Sequence, residues 1–201
     1  MIKKAIRNFI VKRTFASKLR NKGMNTFSNF EILKSIRSSA EEKRLEENRP
    51  HEVMYFHKVD DPYSHLAIQY IDKLQDSFDI SFTAILVGDE NSDAVHEPSL
   101  YSTDCLDDAR RIAPYFGVEF SADSYPSAQL VIKSNKILTA VDTINFSEVA
   151  KKVSSALWSG NESILDDLSR EYSSTDQEVS NKLELGNLLR NEKDYYCLLY
   201  T

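Results

Sequence analysis

Six residues within nine positions carry side chains that can hold or move a proton, or shape a site around one: His57, Asp61, Pro62, Tyr63, Ser64 and His65. Asp61-Pro62 reads as a helix start, because aspartate is a favoured N-cap and proline suits the first helical turn. A carboxylate there accepts backbone hydrogen bonds or, if the cap is supplied elsewhere, acts as a general base. Asp60 is the alternative cap that would leave Asp61 free. Ser64, one turn along, has a hydroxyl that donates as well as accepts. Tyr63 offers a phenol, as a pocket wall or an acid. His57 and His65 flank the turn, and imidazoles are natural proton shuttles. His65 is displaced by about 100° from Ser64 around a helix, which turns it toward solvent. Each residue also has a plainer reading: a cap for Asp61, local backbone bonding for Ser64, core packing for Tyr63 and a structural role for the histidines.

No metal centre is legible, because His51, His57, His65 and His96 lack a ligand-type spacing. The only cysteines, Cys105 and Cys197, lie far apart and form no disulfide framework, so a reducing compartment is expected. Cys105 and Trp158 read as core residues.

The elements that must position these groups follow from periodicity. Val53–Val59 is rich in β-branched and aromatic residues and predicts a strand. Tyr63, Leu66, Ala67, Tyr70, Ile71 and Leu74 predict one helix of about three turns. Ile80–Val87, almost continuously apolar, predicts a second strand covered on both faces. Strand, helix and strand at this spacing make a βαβ unit. Helices are then predicted from an Asp104 cap to Pro114-Gly117, over Ala128–Val141, from Phe146 to before Ser159-Gly160, around Ile164–Leu168 and over Val179–Leu189. Tyr195–Thr201 predicts a last strand, with an edge that a homo-oligomer or a covering partner chain would have to protect.

Charge divides the chain. Residues 1–50 carry thirteen Lys/Arg against five acids, a net of +8; residues 51–201 carry a net of −14. The first thirty residues hold eight basic residues and no acid, with Ile2, Ala5, Ile6, Phe9 and Ile10 on one helical face. Packing on the body, a mitochondrial transit peptide and attachment to an anionic surface all fit this composition. Nothing resembles an aromatic–basic nucleic-acid motif, and no apolar run is long enough to cross a bilayer. Residues 31–50 predict an exposed, charged helix ending near Pro50.

Asp61-Pro62-Tyr63-Ser64-His65-Leu66 resembles the Ser-Pro-Tyr-Ser-x-Leu junction of the DsbA-like thioredoxin superfamily, nearest the branch of 2-hydroxychromene-2-carboxylate isomerases and kappa-class glutathione transferases. Asp107-Asp108-Ala109-Arg110-Arg111-Ile112-Ala113 with Phe116-Gly117, and Ala156-Leu157-Trp158-Ser159-Gly160, are weaker similarities to its helical insertion. The resemblance spans residues 52–201. It implies an α/β fold: a thioredoxin-like βαβ core (51–88 and 190–201), an all-helical insertion (89–189) and an N-terminal basic helical extension (1–50).

The resemblance further implies a glutathione- or small-thiol-linked isomerase or transferase acting on a small aromatic or carboxylate substrate. Asp61, Ser64 and Tyr63 would be catalytic and Pro62, His65 and His57 would line the glutathione site, with no metal. Two departures stand out. Neither Asp61 nor Ser64 can form a disulfide, so dithiol–disulfide exchange at this motif is excluded. The family's cis-proline loop, fourth strand and final helix have no counterpart before or after Tyr195–Thr201, as expected of a fragment or a reduced member. The alternative is a non-catalytic interaction domain that docks a partner through its basic head. The expected location is the cytoplasm, or the mitochondrial matrix if residues 1–25 are a transit peptide.

Overall fold

The structure, a computed structural model, describes residues 14–88, 98–192 and 199–200, with side chains over 17–26, 28–88 and 100–191. The apolar face Ile2–Ile10, the acid-rich stretch after Gly88, His96, Cys197 and most of the predicted last strand lie outside them. The chain forms two compact units, Met1–Pro50 and His51–Thr201. No helix among the described residues is long and apolar enough to cross a membrane.

The first unit is a pair of helices, α1 (Thr14–Phe27) and α2 (Phe30–Glu46). Asn29 separates them: its extended backbone stops α1, and its side chain accepts the Glu31 and Ile32 N–H groups to start α2. Arg44 forks onto Glu41 and donates to the Arg49 carbonyl. Asn48, at φ 50°, then reverses the chain, and Arg49 N–H closes onto Arg44 O. None of the α2 residues is buried.

The second unit is α/β and mostly helical, with β1 (His51–His57), α3 (Pro62–Ile68), α4 (Ile71–Ser77), β2 (Ile80–Leu86), α5 (Pro98–Phe116), α6 (Ala128–Ala140), α7 (Phe146–Trp158), α8 (Glu162–Glu171), α9 (Asp176–Glu192) and β3 (Leu199–Tyr200). β1 and β2 pair in parallel, Tyr55 beside Ala84 and His57 beside Leu86. β3 pairs antiparallel with the other edge of β1, giving the order β2–β1–β3.

Val53, Tyr55 and His57 share one pleat of β1 with Phe82, Ala84 and Leu86 of β2. The core gathers Tyr55 and Leu86 with Ile137, Leu138, Val153, Leu157 and Leu165 from α6, α7 and α8. Burying each such side chain contributes about 1.5–3 kcal/mol. Helix α9 crosses the end of β2 so closely that Gly186 is in backbone contact with the Leu86 carbonyl. Asn187 accepts the Gly88 N–H at 3.2 Å.

Two expectations are corrected. The single helix predicted from Tyr63 to Leu74 is two, α3 and α4, broken at Gln69–Tyr70. The Gln69 side-chain amide takes the His65 carbonyl (3.1 Å), the acceptor that the Gln69 backbone N–H would use in a continuing helix. Helix α5 starts at Pro98, not after Asp104, because proline fits the first helical turn and outranks the later aspartate as a start signal.

Candidate functional site

β1 ends at His57, and a turn through Lys58-Val59-Asp60 delivers Asp61 to the start of α3 beside the C-terminal edge of the parallel pair. Asp61 is extended (φ −98°, ψ 122°) and its carboxylate accepts the Ser64 N–H at 2.7 Å. Asp61 is therefore the cap, and Asp60 instead pairs with Lys58 Nζ at 3.1 Å. Burial pushes the Asp61 carboxyl up from its ordinary value, against hydrogen bonds from the Ser64 side chain and backbone and the positive charge of Lys58.

Ser64 is fully buried, and its hydroxyl accepts the Lys58 backbone N–H at 3.2 Å. That geometry leaves its proton for Asp61. Ser64 thus holds Asp61 in place. Pro62 is buried at the first helical position. Tyr63 is half-buried and donates its hydroxyl to Asp108 of α5 at 2.8 Å. Burial, then the bond to Asp108 and the proximity of Cys105, pushes the phenol pKa up, so Tyr63 keeps its proton. Cys105 is buried, as expected.

The histidines lie deeper than periodicity suggests. His57 sits 2.7 Å through Nδ1 from the Tyr55 hydroxyl, and that hydroxyl donates to the Ser64 carbonyl at 3.0 Å. With its one proton on Ser64 O, Tyr55 accepts from His57 Nδ1–H, which fixes a neutral tautomer. Burial pulls the His57 pKa down to about 3.

His65, expected to face solvent, is buried, because α5 and α7 cover α3 on two sides. Its Nδ1 lies 2.7 Å from Ser154 Oγ and its Nε2 lies 3.1 Å from the Glu119 carbonyl. Nε2 therefore carries the proton and Ser154 donates to Nδ1. Burial pulls its pKa down to about 4. Gln69 clasps the Glu119 backbone from both sides, at 2.8 and 2.9 Å.

The structure thus brings Asp61, Ser64 and, through Tyr55, His57 into one hydrogen-bonded network, with Pro62 buried beside it at the start of α3. It places Tyr63 on the α5 side and His65 on the α7 side. Sequence reasoning missed Tyr55, Lys58 and Asp108; Tyr55 had a signal, sharing the inward pleat of β1 with His57. Among the described residues no group of three potential ligands could hold a metal. The chain matches the model of no known protein family, and no curated protein is significantly similar to it.

The cap makes a stability prediction. Asp61→Ala removes it and is expected to cost about 1 kcal/mol in urea unfolding at pH 7. Asp61→Asn keeps an acceptor for the Ser64 N–H and deletes a half-buried charge, so it should match or exceed the wild type. Because the folded-state pKa is raised, ionised Asp61 costs stability above its ordinary range near 3.8. The advantage of Asn should therefore shrink as the pH falls toward 4. An Asn variant as weak as the Ala variant at pH 7 would contradict this.

Proposed function

We propose that residues 51–201 form a DsbA-type thioredoxin-like domain without dithiol chemistry, binding a small thiol such as glutathione, or an aromatic carboxylate, beside Asp61. The activity is isomerase- or transferase-like, with Asp61 giving and taking a proton. The fold half of this reading is supported by a parallel β1–β2 pair joined through α3 and α4, an antiparallel β3 on the far side of β1, and a helical block between β2 and β3.

The functional half is carried by Asp61, a carboxyl at the C-terminal edge of the parallel pair that burial pushes toward its protonated form. Open α/β sheets hold ligands at that edge, and a carboxyl shifted by burial there is a catalytic-site feature. Protonated, Asp61 donates to a thiolate; ionised, it recovers a proton from the bound acid. Ser64 positions Asp61, Tyr63 walls the site, and His57 and His65 frame it as neutral rings. The scarcity of cysteines fits a reducing compartment, the cytoplasm or the mitochondrial matrix.

Isothermal titration of glutathione into the full chain should give heat, with a thermal upshift at millimolar ligand. Asp61→Asn should weaken binding several-fold in a protein that still folds. No heat and no thermal shift at millimolar glutathione would sink the reading. That outcome favours a non-catalytic interaction domain docking through its basic head, for which one observation speaks: the apolar Phe30, Ile36 and Leu45 of α2 are all exposed.

A further inference from the structure

Gln69, the chain at 119–121 and the last turns of α7 enclose a cleft of about 350 Å³. That is the size of a small-ligand site. None of Asp61, Tyr63 and Ser64 lines it. Its inner wall is aromatic: His65 and Trp158 are both buried, with ring centroids 6.0 Å apart. The His65–Ser154 bond ties α3 to α7, and the Gln69–Glu119 bonds tie the 119–121 segment to the end of α3. The walls are therefore fixed relative to one another.

The polar capacity left in the cleft consists of hydroxyls. Lys151 and Ser155, four apart on α7, and Ser159 at its end form one stripe along the cleft. The hydroxyls of Ser155 and Ser121 bond to no described residue, so each can donate and accept. Ser159 donates to the Ser155 carbonyl at 2.7 Å and remains an acceptor. The charges are engaged or opposed. Lys151 pairs with Asp72 of α4, and the buried His65 ring is neutral. An anion would meet the Glu119 carboxylate within a body of net charge −14, and a cation would meet Lys151. Hydroxyls that both donate and accept match a ligand made of the same groups. We propose that this cleft binds a small uncharged sugar, its ring against His65 and Trp158 and its hydroxyls on Ser121, Ser155 and Ser159. The site is independent of small-thiol binding at Asp61.

Trp158 is the only tryptophan of the chain, so tryptophan fluorescence reports on the cleft directly. Titrating glucose, galactose, mannose and ribose into the full chain should change that fluorescence saturably, at millimolar sugar, for at least one of these sugars. Ser121→Ala combined with Ser155→Ala removes a hydrogen bond at each position and should weaken binding about tenfold. Both serines are exposed, so the double variant should fold as the wild type does. No saturable change with any of these sugars would overturn the proposal, as would undiminished binding in the double variant. So would a response to acetate, phosphate or glycine in place of the sugars.

Discussion

Lowering the pH from 7 to 5 is expected to remove about 4 kcal/mol of folding stability from the second unit, roughly 2 kcal/mol through each of His57 and His65. Both rings are buried, with folded-state pKa values pulled down to about 3 and about 4. In the unfolded chain they titrate near 6.5. Between those values the unfolded state binds protons that the folded state refuses, so stability falls as the pH drops below about 6.5. It levels off only near the folded-state values. Asp61 works in the opposite sense at lower pH, its raised pKa favouring the folded form as it protonates.

The loss is large against a typical domain stability of about 5–15 kcal/mol. Urea midpoints at pH 7, 6 and 5 would measure it. A flat profile would mean that one or both rings are reached by water. His65→Gln retains an amide that can partner Ser154 or Glu119 and should remove half of the slope.

Gly186→Ala should also destabilise the fold. A Cβ at position 186 would stand 1.9 Å from the Leu86 carbonyl oxygen and 3.2 Å from Ile85 Cγ2. The obstacle is the backbone of the edge strand β2, so α9 would have to lift off it. Overpacking of this kind costs about 1–3 kcal/mol, occasionally more. Alanine's better helix propensity returns only about 1 kcal/mol. The 1.9 Å approach to a backbone oxygen puts this site at the upper end of that range, so we expect a net loss of about 2 kcal/mol in denaturant unfolding. Gly23→Ala, also within a helix but with nothing near its Cβ, should be neutral or slightly stabilising. Equal, small effects at the two glycines would contradict the close crossing of α9.

Much of the second unit was legible because its periodicities are strong. Phe146, Val149, Ala150, Val153 and Leu157 specify α7 on their own, and Ile80–Leu86 can hardly be anything but a strand. What escaped depends on contacts distant in sequence. The break at Gln69 is made by the Gln69 amide, which also clasps Glu119, fifty residues away. The inward turn of His65 depends on Ser154, in a helix that no local pattern places beside α3.

At the junction, residue types suggested the cap, but not that Ser64 would be spent on Lys58 and Asp61. A serine at a helix start reads the same whether it faces a ligand or the interior. Tyr63 shows the same gap: its phenol was legible, its partner Asp108 was not.

The most direct test is residue-resolved. Nitrogen-15 amide spectra of the full chain, recorded as glutathione is added, should show shifts concentrated at Lys58–Leu66. The Asp61 and Ser64 amides should lead, and the response should shrink in Asp61→Asn. Shifts that stay away from this junction, or no shifts at millimolar glutathione, would contradict a small-thiol site at Asp61.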